Sequence, residues 1–194
     1  ARRQRQMCIR DRSSTGFRDA LKLTLYRPRD ILVLLNDAFL RASVQGRDKI
    51  IIDDINATAN TISQNRLNDL LKEYETVFPA LDIFTSLFSN KKPDYQVLEA
   101  AKLITKALTS PSLENKIKQQ DILLLDGPIQ VIQRLYSIGF LGLYNAQSSS
   151  YVFCHDGKEP EKDFSEGSKI LIHPCYWLAL SVQEFDIDSQ AAED

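Results

Sequence analysis

The chain has 194 residues, a net charge of −2 and 43% hydrophobic residues, so it can bury a core in one or two small domains. Its mildly acidic balance argues against non-specific nucleic-acid binding. Three cysteines are too few for a disulfide-stabilised secreted scaffold. The chain shows no signal-peptide pattern and no apolar run of about 18 residues. It is therefore predicted to be cytoplasmic, with no membrane partner.

Residues 1–12 form a separate basic segment with five arginines and one aspartate. Residues 7–11, Met-Cys-Ile-Arg-Asp, resemble the translated end of a sequencing adapter at the edge of a metagenomic fragment. We interpret the segment as non-native and exclude it from the fold prediction; the alternative is a basic tail for nucleic acid or an acidic surface. Without it the net charge is about −6. Because Met7 is the only methionine, we expect the natural protein to begin further upstream.

The first predicted element is a helix that begins at Pro28, since proline suits the first helical position. Asp30 places a negative charge at the positive end of the helix dipole, and Gly46 is a typical C-terminal stop. Arg27 and Arg29 flank the helix N-terminus, a place that favours anions. Apolar residues recur at the spacing of one buried face, namely Ile31, Leu34, Leu35, Ala38, Phe39 and Ala42.

This stretch, RPRDILVLLNDAF, resembles the sensor-2 helix of AAA-type and STAND-type P-loop ATPases. In those families the arginine after the proline reaches toward the γ-phosphate of ATP. That position is Arg29 here, with Arg27 in support where many relatives carry Gly, Asn or His. The simpler alternative is a solvated helix cap.

The resemblance implies ATP and Mg²⁺ as ligands of a parent ATPase. The expected partner is an N-terminal nucleotide-binding domain, missing from this chain, which would supply most of their ligands. No G-x-x-x-x-G-K-[ST] loop and no catalytic motif occur in the sequence. The fragment alone is therefore expected to be inactive.

The pattern stays helical to about residue 110. Asp53 and Asp54 predict the start of a long amphipathic helix, which resembles the lid segment of the same ATPases. Further helices are predicted over residues 79–88 and from about 93 to 110. The apolar face of the long helix comprises Ile55, Ala59, Ile62, Leu67, Leu70, Leu71 and Tyr74, and its polar face Asn60, Gln64, Asn65, Asp69, Lys72 and Glu73.

After about residue 120 the sequence pattern is no longer purely helical. A helix over 128–137 is closed by Gly139, and strand-like runs follow at 151–154 and 169–173. A long polar connection joins the two runs, which predicts a hairpin with a large wing. The stretches LYSIGFLGLY and ILIHPCYWLAL resemble the winged-helix region found C-terminal to ATPase lids.

A winged helix suggests DNA binding. Residues 110–194 contain six Lys or Arg and thirteen Asp or Glu, a net charge of −7. Because neutralisation of phosphates dominates non-specific affinity, this balance favours a structural or protein-docking role over DNA. The candidate DNA contacts are Gln130, Gln133 and Arg134 on the helix and Lys158 and Lys169 on or beside the wing.

Two pairs of zinc-type ligands occur near the strands, Cys154 with His155 and His173 with Cys175. Neighbouring residues of a strand point to opposite faces, so Cys154 and His155 are poorly placed to bind one ion. We predict no metal site. The cysteines are interpreted as small buried residues, and Tyr176 and Trp177 as core.

The sequence therefore predicts a mainly α protein. A helical lid bundle covers residues 13–76, a winged-helix domain with a β-hairpin wing covers 77–185, and an acidic tail covers 186–194. The predicted function is that of the C-terminal part of a bacterial P-loop ATPase, whose lid senses nucleotide and relays its state to the winged helix. The alternative is a non-enzymatic winged-helix regulator that binds a protein partner or DNA.

Overall fold

The computed structural model describes residues 28–78, 80–110, 127–154, 164–165 and 167–182. The described part is mainly α, as predicted. The chain divides into two compact units between Ser63 and Gln64, inside one continuous helix. The elements in chain order are α1 (Pro28–Val44), α2 (Ile52–Glu73), α3 (Leu81–Ser86), β1 (Asp94–Gln96), α4 (Val97–Leu108), α5 (Pro128–Ser137), β2 (Leu141–Asn145), β3 (Ser150–Val152) and β4 (Lys169–Ile172), followed by a 3-10 turn at Pro174–Tyr176.

Helix α1 begins at the predicted proline and ends in a Schellman motif. The amide of Gly46 donates to the Ser43 carbonyl at 2.9 Å, and the amide of Arg47 donates to the Ala42 carbonyl at 2.9 Å. These bonds satisfy carbonyls that the helix end would leave unpaired. Gly46 has a φ of +68°, which a residue without a Cβ adopts without strain.

In the first unit, α1 packs against the beginning of α2. Leu34 and Ile62 form a buried cluster, and Ile55 packs against it. The predicted buried face of α1 is wrong at Phe39, whose side chain is 57% exposed. Phe39 lies about 100° around the helix from the fully buried Ala38, which takes it out of the buried stripe.

Helix α2 follows its predicted amphipathic pattern. The seven predicted apolar positions are buried or half-buried, and the six predicted polar positions are all exposed. The amide of Gln64 reaches the Ala179 carbonyl at 3.3 Å within the second unit. None of the described helices is long and apolar enough to cross a membrane.

The second unit contains a four-stranded antiparallel sheet in the order β1-β4-β2-β3. The predicted hairpin between 151–154 and 169–173 is wrong, because β3 pairs with β2 while β4 pairs with β1 and β2. The connection from β2 to β3 is short, so its closure costs less entropy than a long wing would. Asn145 orders it by accepting hydrogen bonds from the amides of Gln147 and Ser148 at 2.8 and 3.3 Å.

Strand β1 is a further correction, since the sequence predicted helix from about residue 93. The strand has three residues, too few to show an alternating pattern. Helix α4 begins only at Val97 and is opened by a capping box between Gln96 and Glu99. The Gln96 amide donates to the Glu99 carboxylate at 3.1 Å.

Aromatic side chains hold the core of the second unit together. The ring of Phe88 contacts Tyr95 at 5.3 Å and Phe140 at 5.9 Å between centroids. Phe140 also stacks on Tyr176 at 5.4 Å. Tyr176 is buried as predicted, whereas Trp177 is half-buried and donates through Nε1 to the Ile172 carbonyl at 2.7 Å. Helix α4 contacts α5 and β1, and α5 contacts β2.

Several predictions concern residues outside the described ranges. They include the segment 1–12, most of the wing connection and the acidic tail 186–194. The predicted domain boundaries at residues 76 and 77 stay a prediction.

Candidate functional site

Arg29 is the second residue of α1, and its side chain is exposed. Among the described residues it makes no hydrogen bond or ion pair. The neighbouring Asp30 is 4% exposed and lies in the first turn, where its charge complements the helix dipole. Arg27 lies outside the described residues. The first turn of α1 therefore presents one exposed guanidinium to solvent.

The side of α1 that carries Arg29 is apolar as well. We call it the outer apolar face, and it consists of Leu32, Val33, Phe39, Leu40 and Val44, which are 60%, 42%, 57%, 64% and 80% exposed. The opposite side of the helix buries Leu34, Ala38 and Ala42. Several exposed apolar side chains on one side of a helix are typical of a surface that binds another protein. The sequence prediction considered only one face, although the second set repeats at the same helical spacing.

The end of α1 is tied to the start of α2 by a bidentate ion pair. Arg47 Nη1 contacts Asp54 Oδ2 at 2.7 Å, and Nη2 contacts Oδ1 at 2.7 Å. Asp54 Oδ2 also accepts the Ile51 amide at 3.0 Å. The hydrogen bond from Arg47, followed by the one from Ile51, lowers the pKa of Asp54 to about 2. The same hydrogen bond raises the pKa of Arg47.

This pair fixes helix geometry rather than offering a binding site, because both charges are already matched. The sequence predicted Asp54 as a helix-start acid. It did not point to Arg47 as its partner, since the contact spans a loop whose conformation depends on the Schellman motif.

The predicted DNA contacts differ in exposure and in their place in the fold. Gln130 and Gln133 are exposed on α5, and Arg134 on the same helix is half-buried. Lys169 is exposed in β4, where its Nζ lies 5.9 Å from the ring centroid of Tyr144. Lys158 lies outside the described residues. The structure therefore places two of the five on one exposed helical surface and Lys169 in the sheet.

Lys169 belongs to a row of polar and aromatic side chains that crosses all four strands. Strand register places Gln96 opposite Lys169, and Tyr144 opposite Tyr151. The two tyrosine rings meet edge to face at 5.3 Å. Burial, then the charge of Asp94, raises the pKa of Tyr151. Sequence reasoning missed this row because it assigned the strands to the wrong neighbours.

The zinc-type residues have other partners. His173 is buried and its Nδ1 accepts the Cys175 amide at 3.2 Å. The thiol of Cys154 donates to the Ser137 carbonyl at 3.2 Å. His155 lies outside the described ranges. Over the described residues, no group of three or more His, Cys, Asp or Glu is arranged to hold a metal ion.

Comparison with known proteins gives three matches. Residues 4–71, a range that includes α1 and nearly all of α2, match the family model of the FunZ-associated C-terminal helical domain. The chain is 42% identical over 181 residues to an 80.3 kDa protein of Escherichia coli (strain K12) that is named for transposon gamma-delta. It is also 45% identical over 89 residues to Allergen Alt a 2 of Alternaria alternata.

Both relatives are longer than the region they share with this chain. The match covers 92% of this chain but 26% of the Escherichia coli protein. It covers 46% of this chain and 47% of the Alternaria alternata protein. The chain thus spans about a quarter of one relative and about half of the other. No solved structure matches the chain significantly.

Proposed function

We propose that this chain is the nucleotide-responsive lid of a P-loop ATPase, in which Arg29 contacts the terminal phosphate of ATP. The observation that carries the proposal is an exposed guanidinium in the first turn of a rigidly anchored helix. The anchoring comes from the buried side of α1 and from the Arg47–Asp54 pair at its far end.

The chemistry of the helix start supports a phosphate ligand. Amide groups at a helix N-terminus carry a partial positive charge that attracts anions. A guanidinium adds two parallel donors that match the geometry of a phosphate. In a closed site, a fixed positive charge stabilises the charge that develops during phosphoryl transfer. Asp30 opposes this attraction, but its carboxylate is buried beside the helix rather than exposed with Arg29.

The remaining ligands of ATP and Mg²⁺ would come from another domain of a longer protein. Among the described residues, Arg29 is the exposed cation at a helix N-terminus, and no group of three or more His, Cys, Asp or Glu is arranged to hold a metal ion. The Escherichia coli relative has roughly three quarters of its length outside the match, which is ample for a nucleotide-binding domain.

The second unit would pass on the nucleotide state. Its helices and strands follow the order α3, β1, α4, α5, β2, β3, β4, and both β1 and β2 pair with β4. This order supports a winged-helix interpretation in which β3 is an added edge strand. Rotation of a lid after hydrolysis is an established kind of domain movement.

The test uses the full-length protein recovered from the source DNA. In an ATP turnover assay, Arg29→Ala should lower kcat by about 100-fold, as loss of a transition-state donor does. Arg41→Ala is the matched control, because Arg41 is exposed in the last turn of the same helix. Unchanged turnover in Arg29→Ala, or an equal loss in both variants, would contradict the assigned role.

A second candidate function is a non-enzymatic module that docks a protein partner. The row from Gln96 to Tyr151 favours it, because the row presents a lysine and an exposed tyrosine on one sheet face. A full-length protein with no phosphate-binding loop and no ATP turnover would favour this candidate over the ATPase lid.

A further inference from the structure

We infer that the outer apolar face of α1 binds a second copy of this chain, with the two helices antiparallel. The inference does not rest on the proposed function, although the dimer and an ATP phosphate would compete for Arg29. It rests on a symmetry in the exposed side chains of α1 about Asn36. Leu32 and Val33 lie four and three residues before Asn36, and Phe39 and Leu40 lie three and four residues after it.

Such a pattern is self-complementary. A two-fold axis through Asn36 places Leu32 and Val33 of one copy against Phe39 and Leu40 of the second copy, and the reverse contact follows by symmetry. All four side chains are at least 42% exposed in the single chain. The pairing removes these apolar surfaces from water, which is the main favourable term in association.

Asn36 selects this register over the others. On the axis, each Asn36 amide meets its own counterpart, and an amide supplies both a donor and an acceptor. Any other register would bury an amide against leucine, valine or phenylalanine without a partner. A single asparagine in an apolar helix seam specifies register in coiled coils in the same way.

The ends of the helix fit the antiparallel arrangement as well. Arg29 lies seven residues before Asn36, and Ser43 lies seven residues after it. Arg29 of one copy therefore reaches the last turn of the second copy's α1, where the helix dipole is negative. The positions 29, 33, 36, 40 and 43 alternate in steps of four and three, which is the spacing of a coiled-coil seam.

The size of the outer apolar face limits the expected affinity of the dimer. A helix of 17 residues is about 25 Å long, so the contact is smaller than the roughly 800 Å² per partner of a standard interface. We therefore expect a reversible dimer with a Kd of about 10–100 µM.

Sedimentation equilibrium of the chain, from about 5 to about 500 µM, measures this association directly. The unaltered chain should pass from monomer to dimer over that range. Leu40→Glu should stay monomeric, because it buries a charge in the seam. Thr61→Glu is the control, since it adds the same charge at an exposed position of α2, and it should dimerise normally.

Cysteine cross-linking tests the orientation, in a background where Cys8 and Cys154 are replaced by serine. Asn36→Cys should form a disulfide dimer on mild oxidation, because the two positions meet on the axis. Val44→Cys should not, because antiparallel pairing separates its two copies by about 24 Å along the axis.

Three outcomes would overturn the inference. A chain that stays monomeric at the highest concentration would leave the face to another part of a longer protein. Cross-linking through Val44→Cys would mean parallel pairing, whether or not Asn36→Cys also cross-links. A dimer that survives Leu40→Glu would place the interface elsewhere. None of these experiments involves nucleotide, so their results are separate from the ATP turnover test.

Discussion

Asp54 illustrates how one side chain can join two helices. It is 2% exposed and accepts two hydrogen bonds from Arg47 and one from Ile51. These bonds favour the ionised form, which is why the pKa falls from 3.8 to about 2. A carboxylate with a lowered pKa in the folded state stabilises that state only while it is ionised.

Asp54→Asn should therefore lower the urea midpoint of unfolding at pH 7. The difference in urea midpoint between this variant and the unaltered chain should have its full size above pH 3.8. It should become smaller as the pH falls toward about 2. Asp53→Asn, at the exposed neighbouring position, is the control and should have a smaller effect. A difference that persisted at pH 2 would show that the lowered pKa of Asp54 is not its cause.

Unlike the Asp54 carboxylate, the buried hydroxyl of Tyr95 has no hydrogen-bond partner among the described residues. Burial, with smaller contributions from Asp94 and Glu99, raises its pKa to about 12. The Tyr95 ring makes favourable contacts, since its centroid lies 5.3 Å from the centroid of Phe88 and 5.2 Å from Lys92 Nζ. Burial of the hydroxyl costs desolvation free energy that no hydrogen bond offsets.

Tyr95→Phe should leave the free energy of unfolding unchanged or raise it by up to about 1 kcal/mol. Tyr95→Ala, which also removes the ring, should lower it by about 3 kcal/mol. Urea denaturation followed by circular dichroism measures both. A loss of more than about 1 kcal/mol in Tyr95→Phe would reveal a hydrogen bond to the hydroxyl in solution.

At the scale of elements, β2 depends on a glycine that no turn requires. A Cβ at Gly142 would lie 2.6 to 2.9 Å from three ring atoms of Phe153. That ring cannot withdraw easily, because it packs edge to face on the buried His173 at 4.4 Å. Gly142 thus allows the Phe153 side chain to cover the sheet.

Gly142→Ala should lower the free energy of unfolding by about 1–3 kcal/mol, as overpacking does. Gly167→Ala is the matched control: no atom lies within 4 Å of its added Cβ, and the substitution should be neutral or slightly stabilising. Thermal unfolding of the two variants measures the contrast. If Gly142→Ala and Gly167→Ala were equally stable, the Phe153 ring would be able to move away from the added methyl group without a loss of folding free energy.

The helices were more predictable from sequence than the strands. Helix α5 matches its predicted bounds because Pro128 opens it and Gly139, at a φ of +80°, closes it. These are local signals, which the residues carry by themselves. The position of β4 between β1 and β2 depends on contacts between residues distant in sequence, so local sequence patterns could not predict it.

The candidate site was predicted in part for the same reason. The place of Arg29 at a helix start follows from Pro28 and the apolar repeat after it, and the structure has it there. The outer apolar face of α1 was present in the sequence but was not separated from the buried face. The Arg47–Asp54 pair and the sheet row required the fold, since their members meet only through loop and strand geometry.

At the scale of the whole molecule, charge decides between the partners considered for the second unit. Residues 110–194 carry a net charge of −7, whereas DNA binding draws most of its free energy from phosphate neutralisation. Exposed glutamines such as Gln130 and Gln133 can read bases, but only once phosphate contacts hold the duplex in place. Of the predicted cations, only Lys169 is exposed among the described residues.

We therefore expect the chain to bind duplex DNA with a Kd weaker than about 100 µM at physiological salt, the weak limit of non-specific binding. Fluorescence anisotropy with a labelled duplex, at about 50 and about 200 mM salt, measures this affinity and its salt dependence. Lys169→Ala and Gln133→Ala should leave the signal unchanged. Micromolar binding that falls in Gln133→Ala would instead make α5 a DNA-reading helix, because a loss at an uncharged residue cannot come from phosphate attraction. In the proposed ATPase, the nucleotide state sensed by Arg29 would then be passed to DNA rather than to a protein partner.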